Sequence, residues 1–351
     1  MLKAALIGIG SMGRGHLNNY INFIKENKGI ELVAICDIDP EKFKNYKVDF
    51  NLSVSDGDFD FSKFRCYLDV DEMLEKEKDL DMVSVVTPTY THCEITCKCL
   101  EHGINVLCEK PMALNEQQCQ QMIDTAKKNG KKLMIGQCMR LEDSGLFIKE
   151  AVDSGRFGKV ISAYFYRGGA TPLWSYNHWI LKKACGGGAI LDQHIHDVDF
   201  VNYLFGLPKK VSSIGHKRFD ESSFDAVSTN YIYEYGKVIN TQNDWCEAAG
   251  FFEQYRINFE NGTIRYDNGK ITFADASGRK DKLDREFKAE YQEYEYEPTN
   301  AYATETLYFA DCIINDKPVE IINPEHVKNT IKLVQAEIAS CERNGEAVEV
   351  K

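Results

Sequence analysis

Lys3-Ala4-Ala5-Leu6-Ile7-Gly8-Ile9-Gly10-Ser11-Met12-Gly13 decides the fold. Its first half is a short, unbroken apolar run, the pattern of a strand buried on both faces. Its second half is G-x-G-x-x-G, leading into a helix pattern over residues 12–28. Alone, that hexapeptide is a weak signal. Placed directly after a strand and at the mouth of a helix, it points to a dinucleotide. Gly8 permits the tight turn, Gly10 lets the backbone approach a pyrophosphate, and Gly13 lets helix and strand pack closely. Ser11 and Met12 begin the helix, whose unpaired N–H groups and partial positive charge suit phosphate oxygens. A glycine turn without a ligand is the competing reading.

Outward from this stretch, residues 1–137 alternate strand and helix. Strands are expected over 31–36, 82–87, 104–108 and 132–137, and helices over 71–78, 90–102 and 115–129, the last two stopped by Gly103 and Gly130. Residues 37–64 read as irregular and acidic. The rhythm implies a doubly wound parallel sheet. Asp37 closes the second strand, where a carboxylate accepts hydrogen bonds from adenosine ribose hydroxyls and repels a 2′-phosphate. No Arg follows closely and Lys42 is the nearest cation, so NAD(H) is expected over NADP(H). A turn or capping role is the alternative for Asp37. Thr87 and Pro88 sit at a strand's carboxyl end, where ligands of open α/β sheets collect. His92, on the next helix, either faces the cofactor or is a capping or solvated histidine.

The character changes near residues 138–145. Mixed strand signals over 159–167 give way to Gly186-Gly187-Gly188 and a helix over about 193–205. From 211 to 287 come aromatic-rich strand segments with turns at Tyr235-Gly236, Asn261-Gly262 and Asn268-Gly269, then helices over 301–315 and 324–343. This predicts a second, largely antiparallel sheet. A length of 351 residues also fits two domains of about 100–200 residues each.

Composition narrows the function. No apolar run approaches the roughly 18 residues of a membrane span. The N-terminus lacks a charged start, a longer apolar stretch and a cleavage site, so a cytoplasmic protein is expected. A net charge of −12 disfavours a nucleic-acid partner. The twelve cysteines fall mostly inside apolar strand and helix patterns, without paired C-x-x-C spacing, and read as reduced core thiols.

Two constellations carry chemistry. Glu109-Lys110-Pro111 follows a strand, where a lysine can hold a substrate oxygen and favour an alkoxide; a surface lysine is the rival reading. After the three glycines comes Asp192-Gln193-His194-Ile195-His196-Asp197-Val198-Asp199. On a continuous helix Asp192 and His196 share one face at i,i+4, a carboxylate beside an imidazole base. Asp192, His194, His196 and Asp199 are alternatively metal ligands, or simply a polar helix start. Trp174, Tyr176, His178 and Trp179 suit stacking on sugar C–H faces, with core packing as the default. Gln137 and Arg140 either reach a cleft or pair between domains.

Together these pieces resemble the glucose–fructose oxidoreductase/inositol dehydrogenase/MocA family. The likeness spans nearly the whole chain: the 8–13 loop, Asp37, Thr87-Pro88 with His92, Glu109-Lys110-Pro111, the 186–197 block, and a C-terminal helix bearing Tyr302, Glu305 and Phe309. The resemblance implies a Rossmann domain over 1–138. It implies an α/β domain over 139–351 whose large, mostly antiparallel open sheet mediates homodimers or homotetramers. Lys110, Asp192 and His196 match the family's catalytic lysine, aspartate and histidine: His196 takes the hydroxyl proton, Asp192 orients it, and Lys110 holds the reacting oxygen. Some members carry Tyr in place of that histidine, so His196 favours ordinary dehydrogenase chemistry. The resemblance thus implies a cofactor site of Gly8, Gly10, Ser11, Met12, Gly13, Asp37, Thr87, Pro88, His92, Glu109 and Lys110. Substrate is expected against Lys110, Arg140, Trp179, Asp192 and His196, with no metal. The expected activity is NAD(H)-dependent hydride transfer to or from a secondary alcohol carbon of a sugar, sugar acid or cyclitol. A same-fold reductase of a non-sugar carbonyl or dihydrodiol, and a non-catalytic NAD(P)-binding regulator, are the alternatives. The acidic stretch 51–64 is longer than the family's usual connection.

Overall fold

The opening apolar run forms strand β1 (Leu2–Ile7) and the hexapeptide leads into helix α1 (Ser11–Lys25), in a computed structural model that describes residues 1–44, 59–296 and 298–351. There follow β2 (Ile30–Cys36), β3 (Arg65–Tyr67), α2 (Val70–Lys76), β4 (Met82–Val85), α3 (Thr89–Glu101), β5 (Asn105–Glu109), α4 (Glu116–Asn129) and β6 (Leu133–Gly136). The six strands are parallel, in the order β3-β2-β1-β4-β5-β6. Helices on both faces bury β4 and β6 completely, which is why these strands read as continuous apolar runs. Gly103 and Gly130 stop α3 and α4 as expected, at φ of 77° and 60°. The chain winds outward from β1 in both directions, so the order reverses between β1 and β4. A crevice opens at such a switch point, outside the carboxyl ends of the strands.

Among the elements without a counterpart in the sequence reading, two belong to the first half of the chain. One is the three-residue edge strand β3. The other is α5 (Asp143–Ser154), whose buried face includes Phe147, Ile148 and Ala151. Gly145 interrupts its pattern because a Cβ there would fall 1.9 Å from the Met139 carbonyl oxygen. Most of the 51–64 stretch lies outside the described residues, which resume at Phe59.

The second sheet is built from β7 (Val160–Gly168), β8 (Lys210–His216), β9 (Ala226–Ile232), β10 (Val238–Asp244), β11 (Phe252–Phe259), β12 (Gly262–Asp267), β13 (Lys270–Asp275), β14 (Gln292–Glu293) and β15 (Val348–Glu349). Its order is β14-β13-β12-β11-β7-β10-β9-β8-β15, antiparallel except for the β7–β10 pair. The predicted turns join β9 to β10, β11 to β12 and β12 to β13; Asn268 and Gly269 close the last as a two-residue hairpin with φ of 43° and 91°. Strand burial alternates, as in β10, so one face packs on helices and the other is open. The covering helices are α6 (Ala189–Asp192), α7 (Ile195–Phe205) and α9 (Pro324–Glu342); α8 (Ala301–Ile314) instead returns to the first sheet. There Asn300 Nδ2 donates to Asn19 Oδ1 on α1 at 2.9 Å. α9 also touches α4 and β6, so one apolar core runs through both sheets. All twelve cysteines are unpaired and most are buried. Among the described residues no helix is long and apolar enough to cross a membrane.

Candidate active site

The cofactor-side residues expected from sequence lie at neighbouring strand ends. Gly8 follows β1, Asp37 follows β2, Thr87 and Pro88 follow β4, and Lys110 follows β5. Asp37 Oδ2 accepts from the Ile9 amide at 2.8 Å and Oδ1 from the Asp39 amide at 2.9 Å, which turns the carboxylate toward the glycine loop. A Cβ at Gly13 would lie 2.1 Å from the Gly8 carbonyl oxygen, so only glycine lets α1 press against the loop. A Cβ at Gly10 would meet nothing within 4 Å. That open space above the uncapped N-terminus of α1, beside Ser11 and Met12, fits the approach of a pyrophosphate.

Two of these residues do different work from that expected. His92 is neither solvated nor a helix cap. It is 1% exposed and its ring nitrogens lie 2.8 Å from the carbonyls of Thr87 and Pro111, joining the turns after β4 and β5. Glu109 is buried and held by protein partners: Oε1 lies 2.7 Å from His16 Nε2, and Oε2 accepts from the Lys110 amide at 3.1 Å. Gly136 on β6 makes room for this carboxyl. His16, Glu109 and Glu305 of α8 bring ligand atoms within 4.8 Å of one another, the one group with metal-ligand spacing among the described residues. Burial first, then Glu109 and Glu142, push the Glu305 carboxyl well above its ordinary range, so a proton balances this buried group. Neither His16 nor a role for Glu305 was legible as a site in the residues alone. The visible signal for His16 was its place three residues past Gly13.

Lys110 crosses to the second half of the chain. Its Nζ donates to the Asp192 carbonyl at 2.8 Å and to Asp192 Oδ1 at 3.1 Å, and both side chains keep contact with solvent, 17% and 20% exposed. This corrects the expected aspartate–histidine dyad. Asp192 ends α6 and His196 is the second residue of α7, so the two do not stack on one continuous helix. The carboxylate is held by Lys110, not by the imidazole. His196 nevertheless belongs to the same place: burial first, then the charges of Lys110 and Arg167, hold its imidazole well below its ordinary pKa. It is therefore a neutral base at neutral pH, and its Nδ1 has no hydrogen-bond partner. Arg167 on β7, which no motif announced, is itself held by Asp197, Glu253 and Tyr255.

The metal reading of the 192–199 block disperses. Asp192 pairs with Lys110, His194 with Glu337, and Asp199 with Arg140. Arg140 is therefore not a cleft residue. It is 1% exposed, with Nε and Nη2 each donating to Asp199 at 2.7 Å and Nη1 to the Ile321 carbonyl at 3.0 Å. Trp179 is half-buried and packs on a small cluster of Ile180, Leu181, Ala189 and Trp245 rather than standing free for a sugar face. Trp174, Tyr176 and His178 are exposed. The triple glycine fits protein against protein: Cβ atoms at Gly186 and Gly188 would strike Ile180 and Ser222.

The family described as "Oxidoreductase family, NAD-binding Rossmann fold" matches residues 2–137, and the GFO/IDH/MocA C-terminal domain matches residues 146–265. A D-glucoside 3-dehydrogenase of Escherichia coli is 30% identical over 280 residues, 79% of this chain and 70% of that one. A 2,7-anhydro-N-acetylneuraminate hydratase of Mediterraneibacter gnavus is 30% identical over 211 residues; the match spans 60% of this chain and only 52% of that relative's length. Among solved structures, levoglucosan dehydrogenase in complex with NADH and levoglucosan aligns over 100% of this chain and 99% of that one, with a TM-score of 0.82 at 19% identity, a likeness of fold.

Proposed function

This chain belongs to the Gfo/Idh/MocA family of oxidoreductases, and we propose that it is an NAD(H)-dependent dehydrogenase of a secondary alcohol on a sugar, sugar acid or cyclitol. The observation that carries this reading is the contact of Lys110 with Asp192, at 2.8 and 3.1 Å across 82 residues, beside a depressed, neutral His196. NAD(H), when bound, supplies or accepts the hydride. Gly10, Ser11, Met12 and Gly13 would hold its pyrophosphate, Asp37 its adenosine ribose, and Thr87 and Pro88 the wall of the crevice. His196 takes the proton of the substrate hydroxyl in oxidation and returns it in reduction. The Lys110 ammonium stabilises negative charge on the reacting oxygen. Asp192 orients Lys110, and Glu109 fixes the lysine's backbone.

Asp37 favours NAD(H) over NADP(H), because a 2′-phosphate would approach its carboxylate. Residues 1–138 and 139–351 serve as cofactor and substrate domains. The open face of the second sheet supports a homodimer or homotetramer, and twelve free cysteines support a reducing, cytoplasmic setting. The test is a panel of cyclitols, sugars and sugar acids with NAD⁺, followed by NADH absorbance, with dissociation constants for NADH and NADPH measured alongside. Turnover of a polyol and tighter NADH binding are expected. Tight NADH binding without turnover of any polyol would leave a dinucleotide-binding regulator. Substrate loss without NADH accumulation would favour a hydratase.

A further inference from the structure

We propose that His194, seated against Glu337, is a positioning residue that sets the break between α6 and α7 and thereby aims Asp192 and His196; the claim rests on the functional reading above. His194 is the histidine of the 192–199 block that the mechanism leaves unused. Its backbone is both the end of one helix and the start of the next. The amides of Gln193 and His194 both donate to the Ala189 carbonyl, at 3.0 and 2.8 Å, which stops α6. The amides of Asp197 and Val198 both donate to the His194 carbonyl, at 3.0 and 3.1 Å, which starts α7. A continuous helix would stack Asp192 on His196. The break separates them, so that Asp192 reaches Lys110 rather than His196.

The side chain holds that break in place. His194 and Glu337 are both 0% exposed, with Nε2 3.2 Å from Glu337 Oε2 and 3.4 Å from Thr241 Oγ1. Tyr231 donates its hydroxyl to Glu337 Oε1 at 2.7 Å. Thus α9 and β10 meet the imidazole directly, and Tyr231 of β9 reaches it through Glu337. α9 is a firm platform: it runs 19 residues from an Asn323 cap and packs along β8. The two groups meet at ion-pair distance without hydrogen-bond geometry, leaving Glu337 Oε2 and His194 Nδ1 unpaired; a buried carboxylate is costly to strand further, so few arrangements of the 193–195 backbone keep this contact.

The test compares His194→Leu and Glu337→Gln with the wild type. A misplacement of about 1 Å at reacting groups costs on the order of 10²-fold in rate. His194→Leu is expected to lower kcat ~10–100-fold, to shift the acidic limb of the kcat–pH profile, and to leave the NADH dissociation constant unchanged. Glu337→Gln keeps the side chain's shape, with an oxygen to accept from Tyr231 and an amide NH2 that can donate to His194 Nε2, and is expected to retain most of kcat, whereas Glu337→Leu is not. Titration of the His196 ring followed by NMR in the same variants reads the geometry without turnover. If the wild type oxidises no polyol, the functional reading fails while the NMR shift still tests the positioning. A His194→Leu protein that only melts earlier, with kcat, pH profile and His196 titration all unchanged, overturns the proposal. Should His194→Leu not fold, an unaltered pH profile and His196 titration in Glu337→Leu do the same.

Discussion

Replacing Arg140 by Met tests where the protein interior ends and the cleft begins. Arg140 and Asp199 are each 1% exposed and share two hydrogen bonds of 2.7 Å. The guanidinium also donates to the Ile321 carbonyl and lies 4.8 Å from the Tyr203 ring centroid. Arg140→Met would leave the Asp199 carboxylate in the interior with the Thr330 hydroxyl, 2.7 Å away, as its remaining close donor. Removing one partner of such a pair costs about 3–5 kcal/mol, because a buried charge is left uncompensated. At about 2–4 °C per kcal/mol, the melting temperature should fall by roughly 6–20 °C. Calorimetry and urea unfolding measure this, and NADH affinity and the KM of a turned-over polyol are expected to stay near the wild-type values. Arg140→Met with Asp199→Leu should recover much of the loss, since an apolar replacement of a buried pair is often neutral. A single variant as stable as the wild type, but with a raised KM, would refute the argument and return Arg140 to the substrate.

Other expectations are direct. His196→Ala should lower turnover by roughly 10²–10⁴, the range for a lost acid–base group, with NADH binding kept; unchanged turnover removes the imidazole from the mechanism. Gly13→Ala should abolish NADH binding in a folded protein, because the new Cβ would fall 2.1 Å from the Gly8 carbonyl oxygen; binding by fluorescence titration at wild-type affinity would contradict this packing. Burial first, and then Glu253, push the Glu142 carboxyl up to about 7, so its protonation stabilises the fold at low pH and that contribution is lost as pH rises through about 7. Glu142→Gln should therefore gain stability relative to the wild type across this range, by about 1–2 kcal/mol after allowance for the half-buried site; parallel stability–pH curves would show that Glu142 does not titrate there.

The cofactor half was largely legible because its signals are local. Buried parallel strands read as apolar runs, and the residues at their carboxyl ends follow from where those runs stop. The chemical half was legible in residue identity more than in pairing. Lys110, Asp192 and His196 were picked out together, yet the helical period joined Asp192 to His196 where the structure joins it to Lys110. Periodicity assumes an unbroken helix, and the break at 193–194 is held by Glu337, Tyr231 and Thr241, which lie far along the chain.

What the sequence determined by itself is the dinucleotide-binding unit: a buried strand, a glycine loop with no room for side chains at its contact with α1, and a carboxylate at the next strand's end. Each depends on spacing within a few tens of residues, and local sterics enforce it. Only the tertiary structure decided which charges face the crevice and which are spent inside. Arg140 and Lys110 both follow strands of the first sheet, but one meets Asp199 in the buried interior and the other meets Asp192 at the solvent's edge. That difference lies in partners 59 and 82 residues away, and in the desolvation that packing alone imposes.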